Sequence, residues 1–307
     1  MNKNKLVHNL NFEMNLVSHK NIKNTDNNLE KNSFISILWS PNEKNLLISG
    51  DSQSYLRLWD VKKEKLLDSN RINSTAKNPK DNLIIGIDWD KNENIIAAAG
   101  VLIRLFKYEN GKLIQTQHAN LINEFNSPVN LFQIKFNPFN SSSSEKLNFF
   151  ACCQDGIIRI FNEKSKKCIN ELSSHTKKVF GINFHPMKKD VFATSSDDTK
   201  IGIWDLNKSL KANFLNGHKD NVRQILWFKD NCYSDMLISG SWDGNIKFWD
   251  IDNMSCIYTI TEHYSDIYGL DICYDHPYLL ISSSRDNSIK FWNVPFLADK
   301  MVIKINY

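Results

Sequence analysis

A short run of the form apolar-x-apolar-aromatic recurs along this chain at a nearly fixed interval, and that recurrence limits the possible folds more than any other feature. It reads LRLWD at Trp59, IRLFK at Phe106, IRIFN at Phe161, IGIWD at Trp204, IKFWD at Trp249 and IKFWN at Trp292. The intervals between closing aromatics are 47, 55, 43, 45 and 43 residues. A period of about 40 to 50 residues marks one supersecondary unit repeated along the chain, each copy burying its apolar face against the next.

Within each interval the apolar residues alternate or run together over short stretches broken by turn residues, and no sustained helical period separates them. In the fifth unit the runs are VRQILWF, MLISGS, NIKFWDI and CIYTIT. Four strands in about 43 residues is the content of one propeller blade. The long second interval holds NPFNSSSSEKLN, a polar Ser-rich insertion suited to a surface loop; DSNRINSTAKNPKDN is another. Apolar residues make up 41% and aromatics 11% of the 307 residues, enough for a sizeable core.

Charge narrows the partners. Lys and Arg total 38 against 34 Asp and Glu, a net +4 with no basic block, so the footprint of a duplex-binding protein is missing. The Asn- and Lys-rich start (1–32) has no signal-like apolar core, and no later run approaches the roughly 18 apolar residues of a membrane span. The expectation is a soluble, cytoplasmic chain without membrane insertion. Cys152, Cys153, Cys168, Cys232, Cys256 and Cys273 form no C-x-x-C pair and read as reduced, partly buried thiols, which leaves the sequons at Asn73 and Asn140 unused.

The units resemble WD repeats, with Gly217-His218 before a first strand and Trp-Asp closing a third. The likeness runs from residue 33 to 294, strong in the last three units and weak in the second. It implies an all-β propeller. It also implies that the histidine before the first strand, a second-strand Ser or Thr, the Asp of the next tight turn and the third-strand Trp form a hydrogen-bonded chain. Three units carry all four: His175, Thr194, Asp198, Trp204; His218, Ser239, Asp243, Trp249; and His263, Ser282, Asp286, Trp292.

Serine, histidine and aspartate also suggest a hydrolase. Repetition at near-equal offsets, with threonine in one copy, favours a scaffold device over a nucleophile. Earlier units depart from the pattern: counting six back from the aromatic gives Gln53, Gly100 and Asp155, and Ala151 replaces the third unit's hydroxyl. The first half is therefore expected to be softer.

Six units leave 1–32 and 295–307 over. Three arrangements compete: a six-bladed ring, an arc of a longer protein, and seven blade positions with a degenerate closure blade from both termini; the last is favoured. LNFEMNLVS, Leu10 to Ser18, has strand-like alternation and would pair there with a C-terminal strand containing MVIKINY.

No phosphate loop, dinucleotide fingerprint, nucleophile elbow or H-E-x-x-H occurs, and His8, His19, His118, His185 and His276 lack partner ligands at metal spacing. No catalytic residue, metal or cofactor is expected. The family likeness implies that three positions per blade line the recognition face: three and five residues after the histidine, and the residue before the turn Asp. These are Lys178, Phe180 and Asp197; Asn221, Arg223 and Trp242; Asp266, Tyr268 and Arg285, with Gln154 in the third unit. Trp, Tyr and Arg are enriched in protein hot spots. The expectation is a non-enzymatic scaffold or adaptor that binds a protein or peptide there, or else a receptor for a short targeting peptide, or a fragment of a larger multi-domain WD-repeat protein.

Overall fold

The computed structural model describes residues 34–71, 83–92, 94–99, 102–120, 129–139, 148–162, 165, 167–228, 235–272 and 279–293. Leu10 to Ser18, residues 301–307, His8, His19, His276, Cys232, Cys273, Asn73, Asn140 and Gly100 lie outside these. Every regular element described is a strand.

The strands form antiparallel sheets, and within each sheet the strand order follows the chain. The first sheet is β1 (Phe34–Trp39), β2 (Leu46–Asp51), β3 (Tyr55–Asp60) and β4 (Lys65–Arg71); the second is β5 (Gly86–Trp89), β6 (Ile95–Ala99), β7 (Leu102–Glu109) and β8 (Lys112–Asn120). The third runs β9 (Leu131–Phe136), β10 (Asn148–Cys153), β11 (Ile157–Asn162), β12 (Lys167–Ser173), and the fourth β13 (Val179–Phe184), β14 (Val191–Ser196), β15 (Ile201–Asp205), β16 (Asn213–Leu215). The fifth comprises β17 (Val222–Trp227), β18 (Met236–Ser241), β19 (Ile246–Asp250) and β20 (Ser255–Ile260). Three described strands make the sixth: β21 (Ile267–Ile272), β22 (Leu279–Ser284) and β23 (Ile289–Asn293). These are propeller-type blades, one per sequence repeat.

The backbone divides into two units. Of the described residues, one holds those up to Ile182 together with Leu206–Lys211, the other those of Asn183–Asp205 and from Ala212 onward. In the first unit, Ile87 and Trp89 of β5 pack on Ile48, Leu56 and Leu58 of the first sheet, and Ile134 and Phe136 of β9 pack on Ala97, Ile103 and Leu105 of the second. The second unit repeats this. Ile225 and Trp227 of β17 pack on Ala193, Ile201 and Ile203, and Leu270 and Ile272 of β21 on Ile238, Ile246 and Phe248. A first strand therefore buries residues two apart against the preceding sheet, as the pleat dictates. Ile37 and Trp39, the matching pair on β1, are 69% and 54% exposed.

The turn between second and third strands is the same in five sheets. The residue five before the closing aromatic has positive φ: Ser54 (68°), Gly156 (85°), Thr199 (68°), Gly244 (76°) and Asn287 (64°). Glycine takes this conformation without strain. At Gly244 it is required twice over, because a Cβ would lie 2.9 Å from the carbonyl oxygen of His263 in the next loop.

Candidate functional site

The fifth sheet shows what the repeated polar residues do. Trp249 Nε1 donates to Ser239 Oγ (2.8 Å), which lies 2.7 Å from His218 Nε2, and His218 Nδ1 lies 2.9 Å from Asp243 Oδ2. The Asp243 carboxylate also accepts from the amides of Lys219 (2.9 Å) and Asn245 (3.0 Å). One proton arrangement satisfies the row: the indole donates to the hydroxyl, the hydroxyl to Nε2, and Nδ1–H to the carboxylate. Burial would push Asp243 up, but the hydrogen bonds from His218 and these amides outweigh it and hold the carboxyl at about 2.

The sixth sheet repeats the row with Trp292 to Ser282 (2.8 Å), Ser282 to His263 (2.7 Å) and His263 to Asp286 (2.7 Å). Asp286 accepts the amides of Tyr264 and Ser288, and its carboxyl too is held below the usual range against the upward push of burial. Ser239 and Ser282 are almost wholly buried, and each already accepts an indole N–H. No acyl carbon could approach either oxygen, so these rows are clips that tie a loop to a turn. In the fourth sheet Trp204 Nε1 donates to Thr194 Oγ1 (2.8 Å) and Asp198 accepts the amide of Lys200 (3.1 Å). His175, also buried, belongs to the other unit.

The earlier sheets have not simply lost the device. Trp59 Nε1 donates to Ser49 Oγ (2.8 Å), keeping half of it. In place of Gln53, the turn is held by Asp51, which accepts the amides of Gln53 and Tyr55 (2.9 Å each) and pairs with Arg57. In the third sheet Arg159 takes Asp155 with both terminal nitrogens (3.1 and 2.8 Å) and Glu171 with Nε (2.8 Å). Both arginines stand two residues before the closing aromatic, and Arg104 holds that position in the second sheet. The repeated R in LRLW, IRLF and IRIF is the sequence signal for them.

The blade-top positions of the second unit come together around Arg223. Its guanidinium lies 5.4 Å from the Trp242 ring centre and 5.9 Å from that of Tyr268, and the two rings meet edge to face at 5.9 Å. Burial lowers the Arg223 pKa while the Asp197 carboxylate opposes that change. Trp242 is tied by its amide to the Asn221 carbonyl (2.9 Å) and Arg285 by its amide to that of Asp266 (2.9 Å). The Arg285 side chain, 70% exposed, reaches Asp266 Oδ2 at 3.4 Å. Tyr268 is 43% exposed, whereas Trp242 is half-buried and its indole N–H meets no acceptor among the described residues. Lys178 and Phe180 belong to the first unit, where Phe180 meets Phe132 edge to face at 4.8 Å and Asn130 bonds Gln154 (2.8 Å). Phe132, Asn130 and the fully solvated Tyr264 were not among the sequence candidates. Phe132 sits directly after a buried first-strand residue, as Phe180, Arg223 and Tyr268 do; that register would have found it.

Among the described residues no three His, Cys, Asp or Glu side chains converge as metal ligands, and no helix is long and apolar enough to cross a membrane.

Successive antiparallel sheets, four of them with an indole-to-hydroxyl bond inside and five with a carboxylate accepting turn amides, define a repeat protein of propeller blades. Three of its segments, residues 166–205, 209–250 and 254–293, match the WD domain, G-beta repeat family. Among similar proteins, Coronin-7 of Rattus norvegicus is 35% identical over 79 residues, 26% of this chain and 8% of the relative. DDB1- and CUL4-associated factor 10 of Xenopus laevis is 37% identical over 100 residues (32% and 21%). The E3 ubiquitin-protein ligase COP1 of Pisum sativum is 23% identical over 178 residues (57% and 25%). The chain thus spans a quarter or less of the length of these relatives.

Proposed function

We propose that this chain acts by binding rather than catalysis, as a WD-repeat scaffold whose blade tops in the fifth and sixth sheets take a segment of a partner protein. The observation that carries this reading is the convergence of Arg223, Trp242, Tyr268, Asp266 and Arg285, two rings and two guanidinium groups of the kind that dominate protein recognition. The alternative use of the same histidines and serines, as a hydrolytic site, has no exposed oxygen to work with. The relative named DDB1- and CUL4-associated factor 10 is by its name associated with other proteins, which supports a binding role for this chain. Asp197 and Asn221 border the cluster and set its polar rim.

The test is capture of partners by purified single variants. Trp242→Ala and Arg285→Ala are expected each to weaken binding by about 1 to 3 kcal/mol while the melting transition stays near that of the parent. Undiminished capture by both variants would move the site away from these blade tops.

A further inference from the structure

The two guanidinium groups of the blade-top cluster are not placed alike. Arg223 is half-buried, with the Trp242 and Tyr268 ring centres 5.4 and 5.9 Å away and the Asp197 carboxylate favouring its charge. Its charge is answered inside the protein. The Arg285 side chain is 70% exposed and reaches one carboxylate oxygen, Asp266 Oδ2, through Nη1 alone and at 3.4 Å. A guanidinium carries five N–H donors in a planar fork, so Nε and Nη2 remain for a second acceptor. Asp266 itself is only 19% exposed. Of the four charged groups in the cluster, the accessible one is therefore positive.

The two rings turn their polar ends toward the protein. Nε1 of Trp242 is covered and meets no acceptor among the described residues, so it has no N–H to offer outward. The Tyr268 hydroxyl is directed at Asp266 Oδ2, 3.5 Å away. What the pair presents is ring carbon, chiefly that of the 43% exposed Tyr268.

We propose that the partner segment recognised here carries an Asp or Glu side chain beside an apolar one, with the carboxylate on the open edge of Arg285 and the apolar side chain on the Trp242–Tyr268 pair. The inference rests on the reading of these blade tops as a binding face and adds the chemistry of what they bind. An ion pair left in water contributes little. Here the apolar neighbour excludes water as it seats, and a two-pronged guanidinium–carboxylate contact gains most from that exclusion. The single long contact to Asp266 is weak enough to yield or to be shared. A basic segment would meet the Arg285 charge first.

The test needs no known partner. Short random peptides displayed on phage are selected on the purified full chain, and those whose binding falls with Trp242→Ala, in a variant with the parent's circular dichroism, are synthesised. They are expected to carry Asp or Glu close to an apolar residue. Changing that acid to its amide should weaken binding to the parent about tenfold and leave binding to Arg285→Gln nearly unchanged, because that variant has no charge to lose. Selection on Arg285→Glu should turn to peptides bearing Lys or Arg. Trp242-dependent peptides without an acid, or an amide exchange that weakens binding equally to the parent and to Arg285→Gln, overturn the inference and leave the binding face standing. Peptides that bind equally well to Trp242→Ala, with none that depend on the indole, overturn the binding face and the inference together.

Discussion

The first and third sheets hold the turn before their third strand with a guanidinium, the fifth and sixth with an imidazole. In Arg57–Asp51 the side chains are 6% and 0% exposed, and Arg159 is 4% exposed between Asp155 and Glu171. In the later sheets a row of indole, hydroxyl and imidazole ends on the carboxylate. The task is the same in both sets of sheets: a carboxylate, buried at Asp51, Asp243 and Asp286 and more open at Asp155, must accept turn amides and be compensated. The chemistry differs in its reach. The histidine arrives from the loop before the first strand and so joins two connections of one sheet, whereas Arg57 stands on the strand that follows the turn and secures that turn alone. Divergence of the early repeats thus replaces a long tie with a short one and does not leave the turn open.

The largest expected effect tests that replacement. Asp51→Ala strands the Arg57 charge in a buried site and should cost about 3 to 5 kcal/mol, read from denaturant midpoints. The double variant Asp51→Ala, Arg57→Leu should recover most of it. A single variant that costs less than the corresponding change in the fifth sheet would show that the guanidinium does not do the carboxylate-compensating work assigned to it.

The corresponding change is Asp243→Ala, expected to cost about 1 to 3 kcal/mol through the orphaned His218 and amides. It has a pH signature as well. The carboxyl is held at about 2 against an ordinary value of 3.8, so its contribution is fully present above about 3.8 and disappears as the pH falls through about 2. Acid unfolding followed over that window should be shallower in Asp243→Ala than in the parent. Identical profiles would remove Asp243 from the clip.

The closing aromatics, the blade content of the fifth unit and the clips of the fifth and sixth sheets are local patterns, legible because each depends on residues at fixed offsets within one repeat. Asp51 was not legible by the same count, which lands on Gln53. The compensating carboxylate had moved two residues back, and only the pairing of Ser49 with Arg57 across β2 and β3 brings the guanidinium beside it. Trp242 shows another limit. Its offset marks it only as a recognition-face position, whereas the Arg223 guanidinium and the Tyr268 ring from the next sheet half-cover it. The neighbour comes from a different repeat, so no offset within one repeat encodes the covering.

The smallest expected effect lies at the other end of the blades, where the connection from first to second strand is capped by Ser40, Asp90, Asn137 and His185 in turn. Each accepts amide hydrogens from the residues just beyond it. His185 Nδ1 accepts from Met187 (3.0 Å) and Lys188 (2.9 Å), while Nε2–H points to Asp235 (3.1 Å) and the ring packs at 4.7 Å from Trp227. A second proton has only Nδ1 to occupy, and there it would displace both amides. Burial accordingly lowers the His185 pKa below its ordinary 6.5, although Asp235 pulls the other way and the nearby Lys188 ammonium reinforces burial. With the folded pKa depressed, the unfolded chain binds more protons as the pH falls. The cap's contribution is therefore intact above about 6.5 and is lost below it. His185→Asn transplants the solution of the third sheet, where the Asn137 side chain accepts the Phe139 amide at 3.0 Å, and cannot titrate. The parent should lose stability between neutral pH and about pH 5 by more than this variant does. Equal losses would mean that His185 takes its second proton without giving up the turn.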